Sequence, residues 1–109
     1  MPHNEPLAPV HPGEILAEEF LAPFKLSPYR AAALMKVPRT RIERLVAGAA
    51  PITVDTAIRL SRLFGTTPNF WLNLQTRFDV ETIIATGAPE DVLAIEPFVA
   101  NNGAQALAF

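Results

Sequence analysis

Leu26-Ser27-Pro28-Tyr29-Arg30-Ala31-Ala32-Ala33-Leu34-Met35-Lys36-Val37-Pro38-Arg39-Thr40-Arg41-Ile42-Glu43-Arg44-Leu45-Val46-Ala47 reads as two short helices joined by a tight turn. Ser27 is placed as an N-cap, since its hydroxyl oxygen can accept from an N–H of the first turn. Pro28 suits the first helical position, where no N–H is needed. Ala31, Ala32, Leu34 and Met35 allow close packing against a neighbour, and the Lys36-Val37-Pro38 turn contains no glycine. The second helix runs from about Pro38 to Ala47 and stops at Gly48. On a helical wheel Ile42, Leu45 and Val46 cluster and must face the core. Thr40, Arg44 and Ala47 centre the opposite face, with Arg41 and Glu43 on its flanks. Two helices at a steep angle, the second one basic, are how a chain presents a helix to the major groove of DNA.

The residue types on that face fit the task. Arg39 stands in the first turn, the end aimed at base edges in such units. An arginine fork matches guanine O6 and N7 together, and a threonine methyl can meet thymine, so Arg39, Thr40 and Arg44 are expected base readers. Pro38, Arg41 and Arg30 complete the expected DNA-binding set. Ser27 and the N–H groups opening the first of the two helices are placed for a phosphate. The bland alternative is a solvated basic helix.

The net charge of -2 conceals a strong division. Residues 1–24 hold four Glu and no Lys or Arg, whereas residues 25–47 hold six basic residues against Glu43 alone. Residues 48–78 add Arg59, Arg62 and Arg77 against Asp55, and residues 79–109 carry five acids and no base. Local field decides where phosphates dock, and it is positive only in the middle of the chain.

Outward from the centre, residues 1–10 with their three prolines read as a flexible arm. A first helix opens near Pro12, with Glu14, Glu18 and Glu19 suited to its positive start and Leu16, Phe20 and Phe24 as its apolar stripe. Pro23 should end it. Thr53 caps a fourth helix whose Ala57, Leu60 and Phe64 share a face up to Gly65. Thr67 and Pro68 open a fifth with Phe70, Trp71, Leu74 and Phe78 on its apolar side. The expectation is an all-α, five-helix bundle at residues 11–79. Residues 80–109 form a C-terminal extension in which 80–85 can prolong the fifth helix, since Gly87-Ala88-Pro89 is the first clear break. Residues 91–99 fit a short helix, an edge strand or a segment that orders on a partner, and 101–109 read as a loose tail. One small domain cannot readily bury Trp71, Phe78, Ile83 and Ile84 together, so these are the expected dimer contacts.

Much is excluded. At 109 residues without cysteine there is one core, no disulfide framework and no thiolate metal site. His3 and His11 lack ligand spacing, so no metal or other cofactor is expected. Glu18 and Glu19 are adjacent and diverge, and Ser27 and Ser61 have no arranged histidine, so no catalytic site is read. No apolar run approaches the roughly 20 residues that cross a bilayer. The polar N-terminus lacks a signal-peptide pattern, and a cytoplasmic setting is expected.

His11-Pro12-Gly13-Glu14-Ile15-Leu16, Glu18-Glu19-Phe20-Leu21, Val37-Pro38-Arg39, Ile52-Thr53, Thr56-Ala57 with Arg59-Leu60, and Phe64-Gly65-Thr66-Thr67-Pro68-Asn69-Phe70-Trp71-Leu72-Asn73-Leu74-Gln75 resemble the HigA-type antitoxins, small members of the Xre/Cro-like helix-turn-helix group. The resemblance spans about residues 11–79. It implies a lambda-repressor-like DNA-binding fold and a homodimer that represses its own operon at a palindromic double-stranded operator. It also implies a partner, a small basic toxin that cleaves mRNA on the ribosome. Two departures stand out. The family often has a phosphate-gripping glutamine where Pro28 stands, and a basic residue is common after Gly48, where this chain has Ala49-Ala50-Pro51. Both weaken phosphate anchoring, which leaves open a toxin-masking protein with vestigial DNA binding; a free-standing Xre-type repressor without a toxin is a separate alternative.

Overall fold

The computed structural model describes residues 8–99, and among them every regular element is a helix. The beginning of the N-terminal arm, His3 and the tail at 101–109 lie outside the described residues. Helix α1 starts as an α-helical turn, Pro12–Ile15, and continues into a π-wound segment, Leu16–Leu21. Then follow α2 (Pro28–Met35), α3 (Arg39–Val46), α4 (Val54–Phe64), α5 (Pro68–Thr86) and a single turn, α6 (Glu90–Leu93). No described helix is long and apolar enough to cross a membrane.

Side-chain caps set four of these starts. His11 Nδ1 accepts from Gly13 N–H at 2.9 Å, Ser27 Oγ from Arg30 N–H at 3.0 Å, and Thr53 and Thr67 serve Thr56 and Phe70 at 3.2 Å each. Gly13 is required for packing: a Cβ there would stand 1.8 Å from the Leu45 carbonyl oxygen. The His-Pro-Gly sequence is therefore a fitted joint, in which a capped helix start presses its backbone on the end of α3.

Leu16, Leu21, Ala31, Ala32, Met35, Ile42, Leu45, Ile52, Ala57, Leu60 and Trp71 form one core. Trp71 sits at its centre with 0% exposure, its indole N–H donating to Thr66 Oγ1 at 2.8 Å. Phe20 tilts against Trp71 and Phe64, with ring centroids 4.9 and 5.1 Å away. The expected dimer role of Trp71 is thereby corrected, because a protomer that already encloses the ring leaves none of it for a partner. Phe24 is a second correction. It is 65% exposed, because the turn after Leu21, with Lys25 at φ 55°, carries it out of the stripe to stack on Phe64 alone.

Lys36 adopts the left-handed conformation (φ 60°) between α2 and α3, the position a glycine would take without strain. Pro38 is the residue before α3 rather than its first, and α3 ends at Val46. Helix α5 runs unbroken through Asp79 to Thr86 and stops where Gly87 takes φ 93°, so the expected domain limit at 79 falls inside a helix. Residues 91–99 contain no strand; α6 takes only Glu90–Leu93 and buries none of its residues.

Candidate nucleic-acid interface

The face of α3 follows from its core side. Ile42 and Leu45 are 0% and 1% exposed, so Arg39, Thr40, Glu43 and Arg44 stand on the solvent side of the same helix. Ser27, Arg30, Pro38 and Arg41 are exposed as well, which brings all seven expected DNA-binding residues onto the α2–α3 surface. Their circumstances differ.

Arg39 and Thr40 open α3, and Pro38 offers no side-chain cap, so their N–H groups have no side-chain acceptor. The first intrahelical bond goes from Arg41 N–H to the Pro38 carbonyl at 3.0 Å. The positive end of the helix dipole and a guanidinium thus share one exposed spot. Arg44 lies further along, its Nη2 reaching back to the Ala49 carbonyl at 3.3 Å over the turn that follows α3. That long bond is weak enough to exchange for a better acceptor.

At the start of α2 little is left for a phosphate. Pro28 has no N–H, Arg30 N–H is taken by Ser27 Oγ, and Ala31 N–H by the Ser27 carbonyl at 2.9 Å. The Tyr29 N–H, the Ser27 hydroxyl hydrogen and the Arg30 guanidinium remain as donors.

Arg41, read from the sequence as a DNA contact, is instead paired within the protomer. Its Nη1 donates to Asp55 Oδ2, and the same oxygen accepts from Arg59 Nε at 2.9 Å. Arg59 Nη1 in turn donates to the Met35 carbonyl at 2.9 Å. The Arg59 and Arg41 guanidiniums hold the Asp55 carboxyl below the usual carboxylate range. A depressed acid of this kind keeps its ion pairs above its ordinary value and loses them as pH falls through the lowered one. The pairing is thus intact at neutral pH.

Sequence reasoning missed this linkage. The i,i+4 spacing of Asp55 and Arg59 was visible, but Arg41 lies fourteen positions away on another helix. It also missed Gln75, which is buried where α5 meets the loop before α4. Its Oε1 accepts from Ile52 N–H at 2.7 Å and its Nε2 donates to Asp79 at 3.0 Å. His11 caps α1 and is an edge-on neighbour of Phe78 at 4.9 Å. Among the described residues no group of three His, Cys, Asp or Glu side chains could hold a metal.

No family model matches the chain. Virulence-associated protein I of Dichelobacter nodosus is 46% identical over 72 residues, 66% of this chain and 67% of that protein. Antitoxin HigA-1 of Vibrio cholerae is 39% identical over 72 residues, covering 66% and 68% respectively. The solved structure of the Pseudomonas aeruginosa antitoxin HigA with the higBA promoter matches at a TM-score of 0.77 and 40% identity, covering 84% of this chain and 99% of that one.

Proposed function

The chain belongs to the HigA-type antitoxins, with their helix-turn-helix DNA-binding fold, and on that premise we propose that it represses its own operon and restrains a cognate toxin. It binds a palindromic operator as a homodimer, and its toxin is a small basic mRNA endonuclease. It is a cytoplasmic, non-catalytic regulator. The observation that carries the DNA reading is the open start of α3, where Arg39 and Thr40 stand exposed with uncapped N–H groups. Arg39 and Arg44 read bases, whereas Arg30, Ser27 and the Tyr29 N–H hold phosphate. The P. aeruginosa antitoxin bound to a promoter supports the same use of this fold.

The dimer forms through Phe78, Ile83 and Ile84, joined by Val80 on the same distal part of α5. Val80, Ile83 and Ile84 fall in the C-terminal extension at 80–109, whereas Phe78 closes the 11–79 body next to them. Two recognition helices then sit about 34 Å apart, one turn of B-DNA. Footprinting of the DNA upstream of the gene is expected to show two half-sites about 10 base pairs apart. Protection without two-fold symmetry would sink the operator model. On that operator Arg39→Ala is expected to cost about 1–3 kcal/mol and relax specificity, with no comparable loss on random duplex.

A second reading, toxin masking with vestigial DNA binding, draws support from the sparse phosphate donors at the start of α2. The two separate in one assay. An Arg39→Ala/Arg44→Ala protein that still binds purified toxin but loses the operator supports two tasks on two surfaces. A wild-type chain that binds toxin and prefers no DNA supports masking alone.

A further inference from the structure

Two residues one turn apart on α4 hold both helices of the DNA-binding unit. Arg59 donates to the last carbonyl of α2, at Met35, and to Asp55; Asp55 accepts from Arg41 of α3. One carboxylate oxygen takes both guanidiniums, and the side chains keep 41%, 54% and 38% of their exposure at Arg41, Asp55 and Arg59. Arg41 is therefore at the surface, beside the face of α3, and already engaged.

We infer that Asp55 is a specificity-determining residue of the DNA-binding face: it fixes α3 on α4 and withholds the Arg41 guanidinium from phosphate. An arginine released beside a duplex gains a phosphate wherever it lands, and such contacts carry no sequence information. Binding Arg41 internally removes one such contact from every sequence alike. The same bond adds a polar tie to the roll that Ile42 and Leu45 give α3 by burial, and the alignment of Arg39 and Thr40 with base edges depends on that roll. Asp55 thus lowers indiscriminate affinity and preserves the geometry for discrimination. It acts through Arg41 and α3 rather than by touching DNA, so it is a positioning residue.

This rests on the proposal that α3 is the DNA-reading helix, and the test separates the two. Binding to a random duplex and to the upstream operator is measured across salt for wild type, Arg41→Gln, Asp55→Asn and Asp55→Asn/Arg41→Gln, each checked by thermal melting. Arg41→Gln alone is expected to leave the salt slope on random duplex unchanged. Asp55→Asn is expected to steepen it by about 0.9, which is about 3-fold more affinity lost between 50 and 200 mM salt than wild type loses. The double variant is expected to return to the wild-type slope, and the operator-to-random affinity ratio to fall in Asp55→Asn.

A slope already lowered by about 0.9 in Arg41→Gln would overturn the inference, because Arg41 would then be touching phosphate in the intact protein. That comparison stands even where Asp55→Asn does not fold. An unchanged slope in a folded Asp55→Asn would overturn it too. Wild type that binds random duplex without preferring the operator defeats the operator proposal while the slopes still decide the role of Asp55. Wild type that binds neither duplex overturns both.

Discussion

In the first part of α5, residues 68–79, Trp71 and Gln75 are buried and their polar atoms are bound to the body of the protein. From residue 80 onward the same helix leaves Val80, Ile83 and Ile84 at 50%, 52% and 74% exposure. The helix itself does not change at that point, because nothing before Gly87 interrupts its backbone hydrogen bonds. What changes is what lies beside it: α1 and α4 pack on the proximal part and leave the distal isoleucines facing outward. Helical continuity is a local property of the chain, whereas burial depends on neighbours. The apolar residues on the distal part are therefore left open to contacts from outside the protomer.

The largest expected effect lies at the proximal end. Trp71→Ala removes a fully enclosed ring and is expected to destabilise the protomer by about 3–5 kcal/mol. Denaturant unfolding of dilute protein measures it. A loss below 1 kcal/mol on this scale would mean that the core closes without the indole, and the contrast along α5 would vanish.

Gln75→Leu comes next. The substitution keeps an apolar stem in place but strips the buried Ile52 N–H of its acceptor, so a loss of about 1–3 kcal/mol is expected. Hydrogen exchange at Ile52 is the direct readout, since that amide should lose protection first. Thr66→Val is a finer version of the same test. It retains the shape at Thr66 but leaves the Trp71 indole N–H unpaired, with an expected cost of about 1 kcal/mol. Trp71→Phe should cost less in the Thr66→Val background than in wild type, because the new ring brings no donor and the indole N–H there has no partner left to lose.

The elements were legible in the sequence because each is announced locally. Ser27 and Thr67 cap helices directly before a proline and Thr53 directly before Val54, and Ile42 and Leu45 mark the buried side of α3 by spacing alone. The prolongation of α5 past residue 79 was legible for the same reason. Four features were not. The π-wound continuation of α1 and the ejection of Phe24 depend on how α1 is pressed between neighbours. Lys36 at φ 60° defies the glycine rule, and the strain is borne by the packing of α2 on α3. The Arg41–Asp55 pair joins residues on separate helices, so no local pattern encodes it. The Trp71 error had a related origin: four large apolar residues were read as one group, although the fold encloses the first and leaves the last two outside.

The smallest effect on the protomer, and the sharpest test of the comparison, belongs to Ile83→Ser/Ile84→Ser. Serine and isoleucine have similar helix propensities, so the exchange tests what these positions meet rather than whether α5 forms. Both are more than half exposed in the protomer, and surface changes of this kind usually shift stability by no more than about 0.5 kcal/mol. The melting of dilute, monomeric protein is therefore expected to be almost unchanged. Self-association is expected to fail, because the loss removes apolar area from the middle of an interface that must bury about 1,200–2,000 Å² in total. Sedimentation at rising concentration separates the outcomes. A monomeric double variant with an intact fold places the two-fold contact on the distal part of α5, and its operator affinity should drop with dimer formation while the binding of one α3 to random duplex persists. A double variant that dimerises as tightly as wild type removes Ile83 and Ile84 from the interface and leaves their exposure to another partner.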